Sequence, residues 1–272
     1  MELKNESRKR TLYLLQHYKY VFDANQKKNP SQRLIKGECL VAKCFQHCVS
    51  AIYLSDGVMM PVIAERRFSD VGTLSVTARA ALESLLAFGY IFYLPLGDEE
   101  LRLRYNCWEL SGLLDRRHLS PSWPLSEAHK NQLLKDEMEI EELKKNILVN
   151  PVFDKSKQDQ VFEERKWRTK GWEKIGVELG FDKDWIKTIY GYLCSQAHSG
   201  GLSGIQMDHA LINNDVSQPT GLIEGTIPVV LSHMIILLTK MSAISKEEHE
   251  SNNTAIAYVD EYMKFSCGKN RK

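Results

Sequence analysis

Hydrophobic residues recur at helical spacing along almost the whole chain, whereas the alternating runs typical of strands are rare. Residues three and four positions apart lie on one face of a helix, so Leu12, Leu15, Tyr18 and Phe22 predict a helix over about residues 5 to 24. The pattern predicts an all-α fold, built as a single helical bundle of about eight to ten helices.

Two later stretches supply much of the predicted core. A helix over about residues 31 to 54 is apolar on nearly every side from Cys39 onward, which predicts a central position. The next helix begins after a cap at Ser69 or Asp70, carries one apolar face and ends before Pro95.

The last part of the chain is predicted to hold two long helices. Asp182 can cap the helix that precedes this part of the chain. A glycine-rich loop around residues 201 to 204 follows that helix, and residues 213 to 225 are expected to form a connection. The two helices then cover Thr226 to Ile244 and a final stretch that Ser245 opens, with Glu248 at the reciprocal capping position.

A strongly charged segment interrupts the apolar pattern. From Ser126 to about Lys145 acidic and basic residues are interleaved, which is typical of a helix largely in solvent. Because no linker divides the chain, we predict a single domain over residues 1–272 and treat residues 126–174 as a charged helical insertion within it.

Composition indicates a soluble globular protein, with 43% hydrophobic and 26% charged residues. The 36 basic and 35 acidic residues leave a net charge of +1, so binding to nucleic acid requires a local patch. The apolar runs 85–96 and 227–238 are shorter than the roughly 20 residues that cross a bilayer. No secretory signal opens the sequence, so we predict a cytoplasmic protein with no membrane partner.

One local basic patch stands among aromatic residues. Its members are Arg165, Lys166, Arg168 and Lys170, with Trp167 and Trp172 beside them. Basic residues among aromatics can bind single-stranded nucleic acid by stacking and charge. The alternative is a solvated helix that the two tryptophans anchor to the core.

Familiar chemical motifs are absent from the sequence. The chain has no phosphate loop, no Gly-x-Gly-x-x-Gly, no His-Glu-x-x-His and no nucleophile elbow. Its six cysteines form no Cys-x-x-Cys pair, which favours free buried thiols over a zinc or dithiol site. We therefore predict no cofactor and no metal.

Two features place polar residues inside apolar helices. Arg79 and Glu83 stand one helical turn apart and are predicted to form a buried or half-buried pair, either as a structural ion pair or as part of a functional site. His198 closes the helix that carries Tyr190, where it can serve as an acid or base near neutral pH. Its alternative role is a cap whose helix ends at a left-handed Gly200 or Gly201.

These residues resemble two signatures of a group of helical bacterial proteins of uncharacterised function. The group carries an Arg-x-x-x-Glu helix and, later, a Tyr-x-x-Leu-Ser-x-x-x-His helix. The sequence RAALE matches the first at Arg79 and Glu83, and YGYLCSQAH matches the second at Tyr190, Leu193 and His198. Cys194 stands where the pattern has serine, and the match covers roughly residues 35 to 210.

Such proteins are similar in outline to HEPN domains, which occur in bacterial toxin and defence systems. Active HEPN members cut RNA without a metal through an arginine and a histidine on one helix. No arginine lies among residues 190–194 here, so Arg79 from another helix would take that place. The resemblance implies a metal-independent ribonuclease with His198, Arg79, Glu83 and Tyr190 as catalytic residues, and Tyr192 as a second tyrosine able to stack on a base.

A competing hypothesis is a non-catalytic helical scaffold. In that case residues 126–174 contact a partner protein or a second copy, and Arg79, Glu83 and His198 form a polar network that fixes helix packing. A third hypothesis makes Cys194 a nucleophile that His198 activates from one turn away.

Overall fold

A computed structural model gives the fold of most of the chain. It describes residues 2–27, 31–59, 67–68, 70–119, 126–197, 201–213, 217–241 and 253–268. Eleven α-helices make up nearly all of these residues, and the strands among them are a single two-residue pair. The predicted all-α class is confirmed.

The described helices are numbered in chain order. Their bounds are α1 Glu2–Lys27, α2 Gln32–Ser55, α3 Val71–Phe88, α4 Asp98–His118, α5 Glu127–Leu148, α6 Gln158–Phe162, α7 Trp172–Glu178, α8 Lys183–Ala197, α9 Gly201–Asn213, α10 Ser217–Met241 and α11 Asn253–Ser266. Strands β1 Val58–Met59 and β2 Arg67–Phe68 pair antiparallel between α2 and α3. A π-helical turn, Gly89–Tyr93, follows α3, and a 3₁₀ turn, Lys155–Lys157, precedes α6.

The chain divides into two compact units. The first unit comprises Met1–Gly89 and Trp172–Lys272, and the second comprises Tyr90–Gly171. Most of the charged stretch predicted as an insertion therefore lies in the second unit, together with α4. The prediction of one domain with an insertion at 126–174 stays a prediction.

In the first unit, α3 is the central helix, packed on α2, α8 and α10. Its side chains Leu82, Leu85 and Phe88 are fully buried. Helix α10 also packs on α1 and α11, which closes the core around α3. A bundle of this kind is held mainly by burial of apolar surface, at about 25 cal/mol for each Å² removed from water.

Side-chain caps fix where several of these helices begin. The Asp70 carboxylate accepts from Thr73 N at 2.9 Å, which confirms the aspartate as a cap of α3. Asp182 Oδ1 accepts from Trp185 N at 2.9 Å at the start of α8, as its position in the sequence predicts. Each cap satisfies a backbone donor that the first helical turn leaves without a partner.

The second unit has its own small core. Helices α4 and α5 pack on each other, and α6 packs on α4. The buried residues at their centre include Leu110, Ile140, Ile147 and Phe162. The charged face of α5 lies on the exposed side, as the interleaved charges predict.

Two boundary predictions are wrong. The glycine-rich loop predicted around residues 201 to 204 is instead the first turn of α9. Residues 213–225 were expected to form a connection, yet α10 begins at Ser217 and continues through Pro228. Glycines and Pro228 lower the helix propensity of this segment, but Ile223 and Ile227 are buried in the first unit, and this packing outweighs propensity.

Two helical segments in the described part of the chain are long and apolar enough to cross a membrane by length and composition alone. They are Val71–Tyr93 and Gly221–Met241, with 61% and 72% of the tested stretch buried inside the fold. The first segment includes residues 85–93 of the apolar run 85–96, and the second includes the whole run 227–238. Core helices of soluble proteins have the same length and composition. The prediction of no membrane partner stays a prediction.

Candidate functional site

Arg79, Glu83 and Tyr190 meet where α3 packs on α8. Arg79 Nε donates to Glu83 Oε1 at 2.9 Å, and the Tyr190 hydroxyl donates to the same oxygen at 2.8 Å. A longer bond of 3.4 Å joins Arg79 Nη2 to the Tyr190 oxygen, and the guanidinium carbon lies 5.6 Å from the Tyr190 ring centre. We call these three residues the polar cluster.

The polar cluster is half-buried. The Arg79 and Glu83 side chains keep 23% and 29% of their exposure, so both remain reachable from solvent. The prediction that these two residues form a buried or half-buried pair is confirmed. An ion pair with this exposure pays a smaller desolvation cost than a fully buried one.

The surroundings of the polar cluster fix its protonation at neutral pH. Partial burial alone lowers the pKa of Arg79, but the hydrogen bond and the charge of Glu83 outweigh burial and raise it above its usual value. Burial, followed by the hydrogen bond to Glu83, raises the pKa of Tyr190. Arg79 is therefore a permanent cation, and Tyr190 is a proton donor rather than a base.

Helix α8 runs antiparallel to α3. A Cβ at Gly89, after the last residue of α3, would lie 2.5 Å from the side chain of Leu179, which precedes α8. Farther along α8, Tyr190 contacts residues 79 and 83 of α3, so the two helices run in opposite directions. The C-terminal end of α8 is therefore nearer to Arg79 than to Glu83.

Cys194 lies one turn beyond Tyr190 on α8 and is half-exposed. Residues four positions apart lie on one face of a helix, so Cys194 is on the same side of α8 as Tyr190. Tyr192 lies elsewhere, because its hydroxyl bonds to Gln206 of α9 at 3.3 Å. Of the two tyrosines named from the sequence, the cluster contains Tyr190.

His198, the predicted proton acceptor, lies outside the described residues. It directly follows Ala197, the last residue of α8. Gly200 is likewise outside them. Gly201 begins α9 and is not among the described glycines with positive φ, so the left-handed closure proposed for Gly201 is wrong.

The basic patch is not a helix, so the expectation of a solvated helix there is wrong. Residues 163–171 are irregular, and Trp167 is half-buried against the core of the second unit. The Trp167 ring lies edge-on to that of Tyr90, with centroids 5.9 Å apart. No local pattern predicts this contact, because the two residues are far apart in the chain.

Of the six cysteines, Cys44, Cys48 and Cys107 are buried, and burial raises the pKa of Cys107 to about 12. Cys39 is exposed, against the expectation of a buried thiol. Among the residues that the structure describes, no three His, Cys, Asp or Glu side chains are grouped to hold a metal ion. The absence of a metal and a cofactor stays a prediction.

Comparison with protein-family models, with curated proteins and with solved structures gives no match for this chain.

Proposed function

We propose that the polar cluster belongs to a metal-independent ribonuclease site of HEPN-like type, in a bacterial defence or toxin system. The observation that carries this proposal is the meeting of Arg79, Glu83 and Tyr190 in a half-buried position. A guanidinium held by a carboxylate and open to solvent is suited to bind an RNA phosphate. The antiparallel course of α8 brings the end of that helix to the Arg79 side of the cluster, and His198 follows this helix in the sequence.

Each residue has a distinct role in this proposal. His198 takes the proton of a ribose 2′-hydroxyl, whose oxygen then bonds to phosphorus while the bond from phosphorus to the 5′-oxygen breaks. Arg79 neutralises the charge that grows on the phosphate, and Glu83 holds Arg79 in place. Tyr190 keeps its proton and can donate it as a hydrogen bond to a phosphate oxygen. The released 5′-oxygen takes a proton from water.

The first test compares two histidine variants on matched substrates. We expect the purified full chain, in the presence of a chelator, to cut single-stranded RNA and to leave the all-deoxy strand of the same sequence intact. His198→Ala should lower the rate by about 100-fold or more, as loss of a general base does. His118→Ala, a change at an exposed histidine on α4, is the control and should cut at the wild-type rate.

The second test separates catalysis from packing. Arg79→Met should lower the cleavage rate by about 100-fold, whereas Arg102→Met should have no effect, because Arg102 forms an exposed pair with Glu99 on α4. Cutting that persists at the wild-type rate in Arg79→Met, or that persists in His198→Ala, contradicts the proposed site. A polar network without catalysis predicts a lower melting temperature for Arg79→Met and no cleavage by any form of the protein.

A second candidate function is self-association through α5. Leu134 and Met138 lie one turn apart on this helix and are 60% and 75% exposed. An exposed apolar pair on a charged helix is suited to contact a second copy. Light scattering on the wild type and on Leu134→Glu with Met138→Glu tests it, because a dimer should become a monomer in the variant. A wild type that is monomeric at high concentration excludes this interface.

A further inference from the structure

The second unit contains a cavity of about 240 Å³ outside the polar cluster. Its apolar lining includes Tyr90, Phe153 and Trp167, and its charged lining includes four basic side chains and two acidic ones. The net charge of the lining is therefore +2, against +1 for the whole chain. A local patch of this sign is what an anionic ligand requires in a protein with balanced total charge.

The wall of the cavity is built from distant parts of the second unit. The Tyr90 hydroxyl accepts from Thr169 N at 3.3 Å, which fixes the irregular segment 163–171 against the π-helical turn. The Arg104 guanidinium lies 4.2 Å from the Tyr90 ring centre, donates to the Tyr90 carbonyl and pairs with Glu100. The Arg104 side chain is only 11% exposed, so it forms part of the cavity wall and is not a ligand-binding cation.

Lys157 and Lys166 are held differently. Lys157 Nζ lies 3.8 Å from Asp154, with the two side chains 43% and 55% exposed. Lys166 pairs with Glu164, with exposures of 60% and 51%. Exposed pairs of this kind contribute about 0–1 kcal/mol, so either lysine can exchange its carboxylate for a phosphate at little cost.

Backbone strain supports a functional role for this segment. Arg165 has a φ of 56° and is the only non-glycine residue with a positive φ among the residues that the structure describes. A left-handed arginine costs of the order of 1 kcal/mol and persists where the surroundings hold it. Here Asp115 binds Arg165 at 3.0 Å, and the next two residues, Lys166 and Trp167, line the cavity.

A second cavity in the same unit has the opposite charge. It measures about 560 Å³ and shares Trp167, but its charged lining is Glu109, Asp115 and Glu139 against Arg116. Phosphate is repelled by a lining of this sign. The two cavities therefore give opposite expectations for the same anion. Both have aromatic rings in their lining, but only the first combines them with an excess of cations, as a nucleotide requires.

We propose that the basic cavity binds one nucleotide, with its base against Trp167 and Phe153 and its phosphate on Lys157 and Lys166. Aromatic rings and arginine planes are the surfaces on which bases stack in single-stranded nucleic acids, at about 1–3 kcal/mol for each base. A volume of 240 Å³ is below the roughly 300–1,000 Å³ of pockets for drug-sized ligands, which fits a single nucleotide better than a dinucleotide. The nucleotide is either free or part of an RNA strand.

The test measures binding by the full chain to four probes. These are AMP, UMP, a ten-nucleotide single-stranded RNA and the DNA strand of the same sequence. The cavity variant carries Lys157→Glu with Lys166→Glu, and the control variant carries Lys135→Glu with Lys145→Glu, an equal charge change at exposed positions of α5. Thermal unfolding confirms that both variants fold.

We expect the cavity variant to bind at least about tenfold more weakly, with the control within about twofold of wild type. For the RNA strand, the slope of log affinity against log salt should fall by about 1.4, since each lysine contact with a single strand contributes about 0.7. Binding of a mononucleotide identifies free nucleotide as a ligand, and binding of strands alone identifies RNA or DNA. No binding of any probe, or equal losses in the two variants, overturns the proposal.

This inference does not depend on cleavage at the polar cluster. Binding is measured without turnover, and its two lysines belong to the second unit, whereas Arg79 belongs to the first. A cavity variant that loses binding while Arg79→Met keeps it supports the cavity whatever the outcome of the cleavage test.

Discussion

The polar cluster of the first unit and the basic cavity of the second use their cations in opposite ways. In the cluster, one carboxylate oxygen of Glu83 accepts from both Arg79 and Tyr190, so the three side chains hold one another and join two helices. In the cavity, Lys157 and Lys166 pair with exposed carboxylates only three and two positions away in the sequence, so neither of these two pairs joins two helices.

This difference distinguishes cations that stabilise the fold from cations that are available to bind a ligand. A charge that joins two helices is costly to redirect, because the ligand must compete with bonds that also stabilise the fold. A charge in an exposed local pair is redirected at little cost, because the fold does not depend on it. On this basis a ligand reaches the cavity lysines more readily than Arg79, and catalysis at the cluster requires Tyr190 to exchange Glu83 for phosphate.

The largest predicted difference in stability between the two units appears at acidic pH. His233 of α10 is fully buried, stacked on Phe181 with ring centroids 3.7 Å apart, and burial lowers its pKa to about 4. In the unfolded chain the histidine pKa is about 6.5, so between these values the unfolded state binds the proton and the folded state does not. The contribution of the buried, neutral His233 to the free energy of unfolding is fully present above about pH 6.5. It is lost as the pH falls, by about 2 kcal/mol at pH 5.

Hydrogen exchange by peptide, between pH 7.5 and pH 5, measures this effect in each unit. The second unit holds His118 and His129, which are both exposed, so its stability should change little over this range. His233→Leu should remove most of the loss in the first unit. An equal loss in wild type and His233→Leu contradicts the assignment.

The next largest predicted effect is a difference in stability between variants at two cations of the same cavity. Arg104→Met removes a nearly buried guanidinium, its bond to the Tyr90 carbonyl and its pair with Glu100, and should destabilise the second unit by about 2 kcal/mol. Lys166→Met removes one exposed pair and should stay within about 0.5 kcal/mol of wild type. Denaturant unfolding measures both. Equal costs contradict the distinction between wall and ligand-binding cations.

The sequence predicted what depends on local pattern and missed what depends on distant contacts. Asp70 and Asp182 could be assigned as caps because a cap acts within three residues. Polar residues inside an apolar helix pointed to Arg79 and Glu83, and the resemblance added Tyr190 as a site residue. Spacing alone left their contact open, since Glu83 and Tyr190 are 107 positions apart.

The cavity could not be predicted at all. Tyr90 and Thr169 are 79 positions apart, and their contact follows from the packing of the second unit, which no periodicity reveals. The composition of the sequence revealed the basic patch but not its irregular backbone. The left-handed position is occupied by Arg165 and not by glycine, so no residue type indicates it. The connection predicted before α10 failed for a related reason, as packing overrode the low propensity of its glycines and proline.

The smallest expected effect decides whether the polar cluster acts as one unit. Tyr190→Phe removes the hydroxyl bonded to Glu83, and Glu83→Gln keeps the shape of the side chain while removing its charge. Each single change should cost about 1 kcal/mol, and the double variant should cost less than their sum by about 0.5–1 kcal/mol, because Tyr190→Phe removes the bond that Glu83→Gln weakens. Denaturant unfolding of the four proteins gives this coupling energy. A coupling near zero means that the three side chains are neighbours that do not depend on one another, and the cluster then has no rigid carboxylate with which to orient Arg79 toward a phosphate.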